Sequence, residues 1–373
     1  MVAGFTQTKP RKPHHGPEKR GESKNKELSY TAPVHSHASR FRVLPEFSMA
    51  QTALPTSIDF LAPPVLYNEQ GEVRTVGVEI EFVGPSAEKT VQALQEALGG
   101  RLIEVDPHSF ALKDSAIGEL TVELDSRILH PGKSAGSQKG VLPKIAALFG
   151  FAASYLVPCE LVTAPTPIDR LQELDRILGI LRKLGAKGTQ DAPFYAFGLH
   201  FNPEIPRQDA QTLAAFMKSF VLLNPWLRRE VSPDRTRNLL GFADPFPADY
   251  VRMIVSPDYW PDIPRFIDDY LEANPTRNRD LDLLPLLHHL DRDRVRAVLP
   301  NEKINARPTF HYRLPDARVS DPGWSIAPEW NRWVTVERLA VDREKLDMVG
   351  STYLAFEGED KSWANVVEQV VRS

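Results

Sequence analysis

The sequence predicts an α+β fold in which a mainly antiparallel sheet packs against helices. Two observations predict this fold class. Short segments that alternate apolar and polar residues follow one another early in the chain, with Asp and Gly turns between them, as in hairpins. Segments with apolar residues at helical spacing lie mainly in the middle and at the C-terminal end. Because hairpins and helices both join the strands, the chain does not follow a regular succession of βαβ units.

The segment 76–82 is predicted to be the first strand, because apolar and β-branched residues surround two carboxylates in it. Side chains alternate between the faces of a strand, so Glu79 and Glu81 point the same way, roughly 6.5–7 Å apart. Val78 and Ile80 then point toward a core. Two carboxylates on one face of an apolar strand need a cation or hydrogen-bond donors, and hard divalent cations prefer oxygen ligands. The alternative is an edge strand with a solvated acidic face.

Strand alternation and helical spacing of apolar residues also predict the remaining elements. The helical spacing of Val91, Leu94 and Leu98 predicts a first helix, which Gly99-Gly100 ends. Alternation predicts strands at 102–105, 109–113, 120–124, 157–162, 194–201 and 307–314. Helical spacing predicts further helices at 141–155, 167–184, 209–223, 263–272, 329–339 and 362–371, with one or two more within 283–299.

Bulk composition excludes several classes of protein. The chain has 373 residues, 42% hydrophobic and 25% charged, which is ordinary globular composition. The formal net charge of −4 gives no nucleic-acid signature, so no nucleic-acid partner is expected. No apolar run reaches the ~18 residues of a membrane span, so no membrane association is expected. Cys159 is the only cysteine, which excludes an intrachain disulfide and makes a cytoplasmic location the simplest expectation.

The chain divides into a basic tail and a folded part. Residues 1–48 are rich in Lys, Arg, Pro, His, Ser and Gly and show no helical or strand period, so they are predicted to be disordered. They lack the apolar region of a secretory signal. Residues 49–373 are predicted to form one folded domain, with a helical insert at about 205–300.

Four later strands repeat the unusual feature of the first, since each carries polar residues in apolar surroundings. In chain order they contribute Glu123, Asp125, Glu160, His200, Asn202, Arg307, Thr309, His311 and Arg313. One such residue is usually a satisfied core residue, but five strands together indicate a sheet with one polar, ionic face. Buried like charges require cations, which indicates metal binding. The arginines indicate an anionic substrate such as a polyphosphate.

In this order the five strands resemble the amidoligase family, which belongs to the carboxylate–amine ligase superfamily with glutamine synthetase and glutamate–cysteine ligase. The resemblance runs from the Gly77-Val78-Glu79-Ile80-Glu81-Phe82 strand to the strand of Arg313 and covers most of the chain after residue 50. It implies a glutamine-synthetase-like catalytic fold: a curved, mainly antiparallel sheet with helices on its outer face. ATP and Mg²⁺ (or Mn²⁺) would lie on the inner face. The implied enzyme is an ATP-dependent ligase whose partners are small-molecule or peptide carboxylates and amines.

The resemblance also implies roles for individual residues. The residues that match the family's metal ligands are Glu79, Glu81, Asp125, Glu160 and His200, with Glu123 as a less certain partner of Asp125. His200 and Asn202 match positions that contact the bound cofactors. Arg313 matches the arginine of the late strand that contacts phosphate or stabilises the transition state, and Arg307 is a second candidate for that catalytic duty.

The late strand departs from the family pattern, because it reads His311-Tyr312-Arg313 where relatives commonly have Glu-x-Arg. If His311 serves as the ligand, one metal site consists of Glu79, His200 and His311. Two imidazoles favour Mn²⁺ or Zn²⁺ over Mg²⁺, so we expect a shift toward Mn²⁺. The alternatives are a phosphotransferase on the same fold and a catalytically degenerate nucleotide-binding interaction protein.

Overall fold

The computed structural model describes residues 58–124, 158–191, 197–231 and 243–372 of the chain. The predicted basic tail at 1–48, the predicted helix at 141–155 and the candidate ligand Asp125 lie outside these residues. Within the described part of the chain, no helix is long and apolar enough to cross a membrane.

The described residues contain seven strands, ten α-helices and short 3₁₀ helices. The strands are β1 (Thr75–Phe82), β2 (Arg101–Asp106), β3 (Ser109–Ser115), β4 (Gly118–Leu124), β5 (Cys159–Thr163), β6 (Thr166–Pro167) and β7 (Leu199–Pro203). The helices are α1 (Ala87–Leu98), α2 (Asp175–Lys183), α3 (Ala210–Val231), α4 (Ala248–Ile254), α5 (Ile263–Ala273), α6 (Leu284–Leu290), α7 (Arg292–Val298), α8 (Ala327–Val341), α9 (Arg343–Ala355) and α10 (Asp360–Arg372).

The strands form one open sheet in which neighbouring strands pair antiparallel, as the sequence predicts. From one edge the order is β2, β3, β4, β5 and β1. The strand β1 lies inside the sheet, because Glu79 pairs with Val162 of β5 on one side and with His200 of β7 on the other. The short β6 continues the line of β5 along β1. The strand at the centre of the site therefore has neighbours on both sides.

The sheet continues beyond β7 through isolated bridges instead of a full ladder. Phe201 of β7 bridges Tyr312, and Tyr312 in turn bridges Leu281. The strand predicted at 307–314 is therefore present as an extended segment beside β7, but its pairing is interrupted. A second extended segment, 280–282, which the sequence did not predict, lies next to it.

One face of the sheet is apolar and carries the helices. Val76, Val78, Ile80 and Phe82 alternate along β1 and are all fully buried. In β7 and the segment beside it, the aromatic rings on this face pack against α3 and α8: Phe201 on Trp330, Phe310 on Phe216 and Tyr312 on Trp333. The helix α1 packs against β3 and β4. Helices on the apolar face leave the alternate positions of each strand for polar side chains.

The helices differ from the predicted ones where packing outweighs local sequence. The predicted helix at 209–223 continues to Val231 although Pro225 lies inside it. A proline at this place usually ends a helix, but Trp226 and Leu227 beyond it are buried in the core. The predicted helix at 167–184 begins instead as a 3₁₀ helix, Ile168–Leu174, before α2. Helices α4 and α9 were not predicted, since each buries only three residues.

A buried ion pair joins the beginning of β1 to α8. The guanidinium of Arg74 is fully buried and donates to both oxygens of Glu337, at 2.8 Å each. Its remaining N–H groups donate to the main-chain oxygens of Val65 and Glu204. Glu337 also accepts a hydrogen bond from the indole of Trp333, at 2.7 Å. All five donors of Arg74 are thus used, which holds the first residue before β1 against the helix layer.

Candidate functional site

The polar face of the sheet brings together predicted site residues from three adjacent segments. Glu79 lies directly opposite His200 in the antiparallel pair of β1 and β7, so their side chains share a face. Gly77 lies opposite Asn202, and a Cβ added at Gly77 would be in ordinary van der Waals contact with the Cβ and the amide nitrogen of Asn202, at 3.5 and 3.6 Å. The site is therefore built on paired strands that are continuous with the core.

The carboxylate of Glu79 is the centre of this cluster. Its Oε2 lies 3.1 Å from Nδ1 of His200, and its Oε1 accepts a hydrogen bond of 2.8 Å from the amide of Asn202. Nε2 of His311 lies 3.7 Å from the same Oε2, and a guanidinium nitrogen of Arg307 lies 3.6 Å from Oε1. Four of the predicted site residues thus surround one buried carboxylate.

The environment keeps this carboxylate ionised and its neighbouring imidazole neutral. Burial alone raises the pKa of Glu79, but the neighbouring imidazoles of His200 and His311 outweigh burial and hold that pKa well below its ordinary value. Burial lowers the pKa of His200 well below its ordinary value, although Glu79 acts in the opposite direction. An ionised carboxylate and a neutral imidazole are the protonation states that metal ligands require.

The ring of His311 is held from its far side by a residue that the sequence analysis did not select. Asp282 is fully buried, and its Oδ2 lies 3.3 Å from Nδ1 of His311 and 3.0 Å from Nε of Arg277. Burial alone raises the pKa of Asp282, but the charge of Arg277 and the contact with His311 lower it to about 2. Asp282 is therefore a carboxylate that accepts hydrogen bonds from both partners.

A second acidic group lies beside the first. Glu81 and Glu160 are directly opposite each other in the pair of β1 and β5, and Glu160 is also opposite Glu123 of β4. The main-chain N–H of Gly198 donates to Glu81 at 2.8 Å, and the hydroxyl of Ser109 donates to Glu123 at 3.2 Å. Like charges directly opposite each other are unfavourable in a sheet unless something compensates them.

Two arginines border these carboxylates. Arg307 donates to the side-chain oxygen of Asn202 at 2.6 Å, its side chain is one-third exposed, and its Nε has no hydrogen-bond partner among the described residues. Arg313 is buried, donates to the main-chain oxygen of Arg277, and contributes a positive charge that lowers the pKa of His200. The positive charge needed to hold an anion is thus adjacent to the carboxylates.

The donor atoms are close enough to hold divalent cations. Two groups of three have ligand atoms that all lie within 4.8 Å of one another: Glu79, His200 and His311, and Glu81, Glu160 and His200. His200 belongs to both groups. Nε2 of His311 is buried without a hydrogen-bond partner among the described residues. Its 3.7 Å separation from Glu79 Oε2 exceeds a hydrogen bond, but is near the roughly 3.4 Å between ligands of a tetrahedral ion with 2.1 Å bonds.

Most of the predicted site residues therefore lie in one place. Glu79, Glu81, Glu160, His200, Asn202, Arg307, His311 and Arg313 share the polar face, whereas Asp125 lies outside the described residues. Asp282 was missed, although Asp280-Leu281-Asp282 repeats the acid–apolar–acid pattern that singled out Glu79 and Glu81. The same pattern search extended to residues 280–282 would have found it.

The comparisons with known proteins agree with this arrangement. The profile of a family described as "Putative amidoligase enzyme" matches residues 72–335, which is more than half of the chain and spans β1 to α8. No curated protein and no solved structure matches the chain. The matched range contains all the residues of both three-residue groups. The chain therefore belongs to the amidoligase family, whose description supports a ligase-type function.

Proposed function

We propose that the protein is an ATP- and divalent-metal-dependent ligase that joins a carboxylate to an amine. The observation that carries this proposal is the pair of three-ligand groups sharing His200, with Arg307 and Arg313 beside them. Two adjacent cation sites next to arginines suit a triphosphate, because the cations and the arginines together neutralise its negative charge. We also propose a glutamine-synthetase-like catalytic fold, which the open antiparallel sheet with helices on one face supports.

The residues present fit two cations of different preference. Glu79, His200 and His311 would hold one, and Glu81 and Glu160 would hold the other, because a neutral imidazole has a single lone pair and His200 can ligate only one cation at a time. A site with two imidazoles favours Mn²⁺ or Zn²⁺, whereas carboxylate ligands suit Mg²⁺. Bound there, the ions would neutralise the phosphates of ATP and the charge that develops during phosphoryl transfer.

The proposed reaction has two steps. A substrate carboxylate oxygen attacks the γ-phosphorus, and the bond to the β–γ bridging oxygen breaks, which gives an acyl phosphate and ADP. A neutral amine then attacks the acyl carbon, and the amide forms as inorganic phosphate and a proton leave. In both steps Arg307 and Arg313 would hold the phosphoryl oxygens by charge-assisted hydrogen bonds. Asn202 would keep Arg307 in place through the hydrogen bond between them.

The substrates would be a small-molecule or peptide carboxylate and an amine, with a cytoplasmic location as the expectation from the sequence. The direct test incubates the full chain with ATP, with Mg²⁺ or Mn²⁺, and with a panel of carboxylates and amines. We expect phosphate release that needs metal and both substrates, and an amide product by mass spectrometry. Phosphate release that is absent with every pair, or that never depends on metal, would contradict the proposal.

A matched pair of variants checks that the site is responsible. Glu81→Gln keeps an acceptor for the N–H of Gly198 but removes the charge. We expect it to lower turnover by more than about 100-fold, the upper range for losing a residue that only supports a metal ligand. The control Glu119→Gln changes a half-exposed glutamate on β4 that pairs with Lys113, and should retain full turnover. ADP formation without amide would favour the phosphotransferase instead.

A further inference from the structure

The position of Asp282 determines which ring nitrogen of His311 carries the proton and which faces the site. Its Oδ1 accepts the N–H of Leu284 at 3.0 Å, and its Oδ2 faces Nε of Arg277 and Nδ1 of His311. A buried carboxylate with three donors directed at it accepts from each of them. The proton between Asp282 and His311 therefore belongs on Nδ1 of the imidazole.

The opposite nitrogen of the ring faces the carboxylate of Glu79. Nε2 of His311 is buried, has no hydrogen-bond partner in the described part of the chain, and lies 3.7 Å from Glu79 Oε2. An N–H at that position would be expected to approach the carboxylate to 2.7–3.2 Å. That oxygen is instead 3.1 Å from His200. The longer distance fits a lone pair on Nε2 that faces a lone pair on oxygen, with room for a cation.

We propose that Asp282 is a positioning residue that holds His311 with its proton on Nδ1, so that Nε2 is presented as a metal ligand beside Glu79. This proposal rests on the proposed metal site and names what orients one of its ligands. Carboxylates that accept the second N–H of a ligating histidine fix its tautomer and ring orientation in the same way.

The main chain holds the two residues in register independently of their side chains. The N–H of Asp282 donates to the main-chain oxygen of His311 at 2.9 Å, and Leu281 bridges Tyr312. A carboxylate at position 311 would be repelled by the buried negative charge of Asp282. Asp282 thus suits an imidazole at this position and disfavours an acid, which makes the two residues a matched pair.

The first test needs no variant of Asp282. Long-range ¹H–¹⁵N correlation of metal-stripped protein labelled in histidine, at pH 8, reports which ring nitrogen carries the proton, and His311→Gln assigns the signal. We expect the Nδ1–H tautomer for His311. The Nε2–H tautomer would overturn the proposal. This result does not depend on whether metal binds or on whether a variant of Asp282 folds.

The second test measures Mn²⁺ affinity by electron paramagnetic resonance. In Asp282→Asn the amide NH2 either faces the His311 side, which removes the acceptor of Nδ1–H, or faces the N–H of Leu284, where two donors repel each other and only a neutral acceptor remains for Nδ1–H. In either orientation the hydrogen bond that fixes the tautomer is weakened or lost. We expect the affinity for Mn²⁺ to fall 10–100-fold. The control is Asp280→Asn, because Asp280 is equally buried and is paired with Arg228 at 2.6 Å. It should lower stability similarly while leaving Mn²⁺ affinity within about threefold, the scatter of such measurements.

A double-variant cycle separates positioning from a general structural role. In a His311→Glu background, Asp282→Asn removes a like charge, so it should raise Mn²⁺ affinity instead of lowering it. A decrease of the same size in both backgrounds, or an unchanged affinity in folded Asp282→Asn, would overturn the proposal. If the wild type binds no Mn²⁺, the proposed metal site fails, and the tautomer measurement still decides the role of Asp282.

Discussion

The buried ion pair between Arg74 and Glu337 allows a quantitative test of how β1 is held in place. In Glu337→Ala both carboxylate oxygens are lost, which leaves two N–H groups of a fully buried cation and the indole N–H of Trp333 without acceptors. Removing one partner of a buried pair costs about 3–5 kcal/mol. That is a large share of a typical unfolding free energy of about 5–15 kcal/mol.

The assay is urea unfolding together with calorimetry, and an exposed ion pair in the same protein is the control. Arg170 and Glu173 also pair through two hydrogen bonds, at 2.9 and 2.7 Å, but their side chains are 48% and 31% exposed. We expect Glu173→Ala to cost about 0–1 kcal/mol. The melting temperature of Glu337→Ala should fall by at least about 6 °C, at about 2 °C per kcal/mol for a large domain.

The double variant Arg74→Met/Glu337→Leu decides whether the loss comes from a stranded charge. Replacing a buried pair by apolar residues is often neutral or even stabilising, so the double variant should be more stable than Glu337→Ala. The reasoning is refuted if Glu337→Ala costs no more than Glu173→Ala. It is also refuted if the stability loss of the double variant equals the sum of the losses of the single variants Arg74→Met and Glu337→Leu.

Three further predictions concern packing, pH and reactivity. An added Cβ at Gly350 in α9 would overlap the main-chain oxygen of Val255, whereas nothing lies within 4 Å of one at Gly179 in α2. Gly350→Ala should therefore lower the free energy of unfolding by about 1–3 kcal/mol and Gly179→Ala should raise it by about 0.5–1 kcal/mol, both read by urea titration. Burial lowers the pKa of Lys218 to about 8. The unfolded chain keeps this proton to about pH 10.4, so the free energy of unfolding of the wild type relative to Lys218→Met should rise between pH 8 and 10, by at most about 1.4 kcal/mol per pH unit. A difference between the two proteins that does not change with pH would contradict the lowered pKa. Burial raises the pKa of the Cys159 thiol to about 11, so a thiol reagent at pH 8 should react only after unfolding, and rapid reaction of the native protein would show that the thiol is accessible.

Much of the site was predictable because the signal is local. Alternation along one strand assigns Glu79 and Glu81 to one face and Val78 and Ile80 to the other, and the observed burial follows that assignment. The first helix is similarly local, since Ser86 caps it and Gly99 ends it. The course of α3 was not predictable from local sequence, because the cost of Pro225 is offset by residues that pack from distant parts of the chain.

By itself, the sequence determined the faces of the strands, the chemical character of the polar face and the family to which the chain belongs. These properties depend on residue type and on spacing of two or three positions, which are visible along the chain. The family resemblance implied that Glu79, His200 and His311 share a site, but only the tertiary structure decided that Asn202 and Arg307 also meet at Glu79, and that Asp282 stands behind His311. Those contacts depend on the register between segments that are up to hundreds of residues apart. Register is set by the packing of the whole apolar face and by main-chain pairing between β7 and its neighbours, and no local pattern contains it.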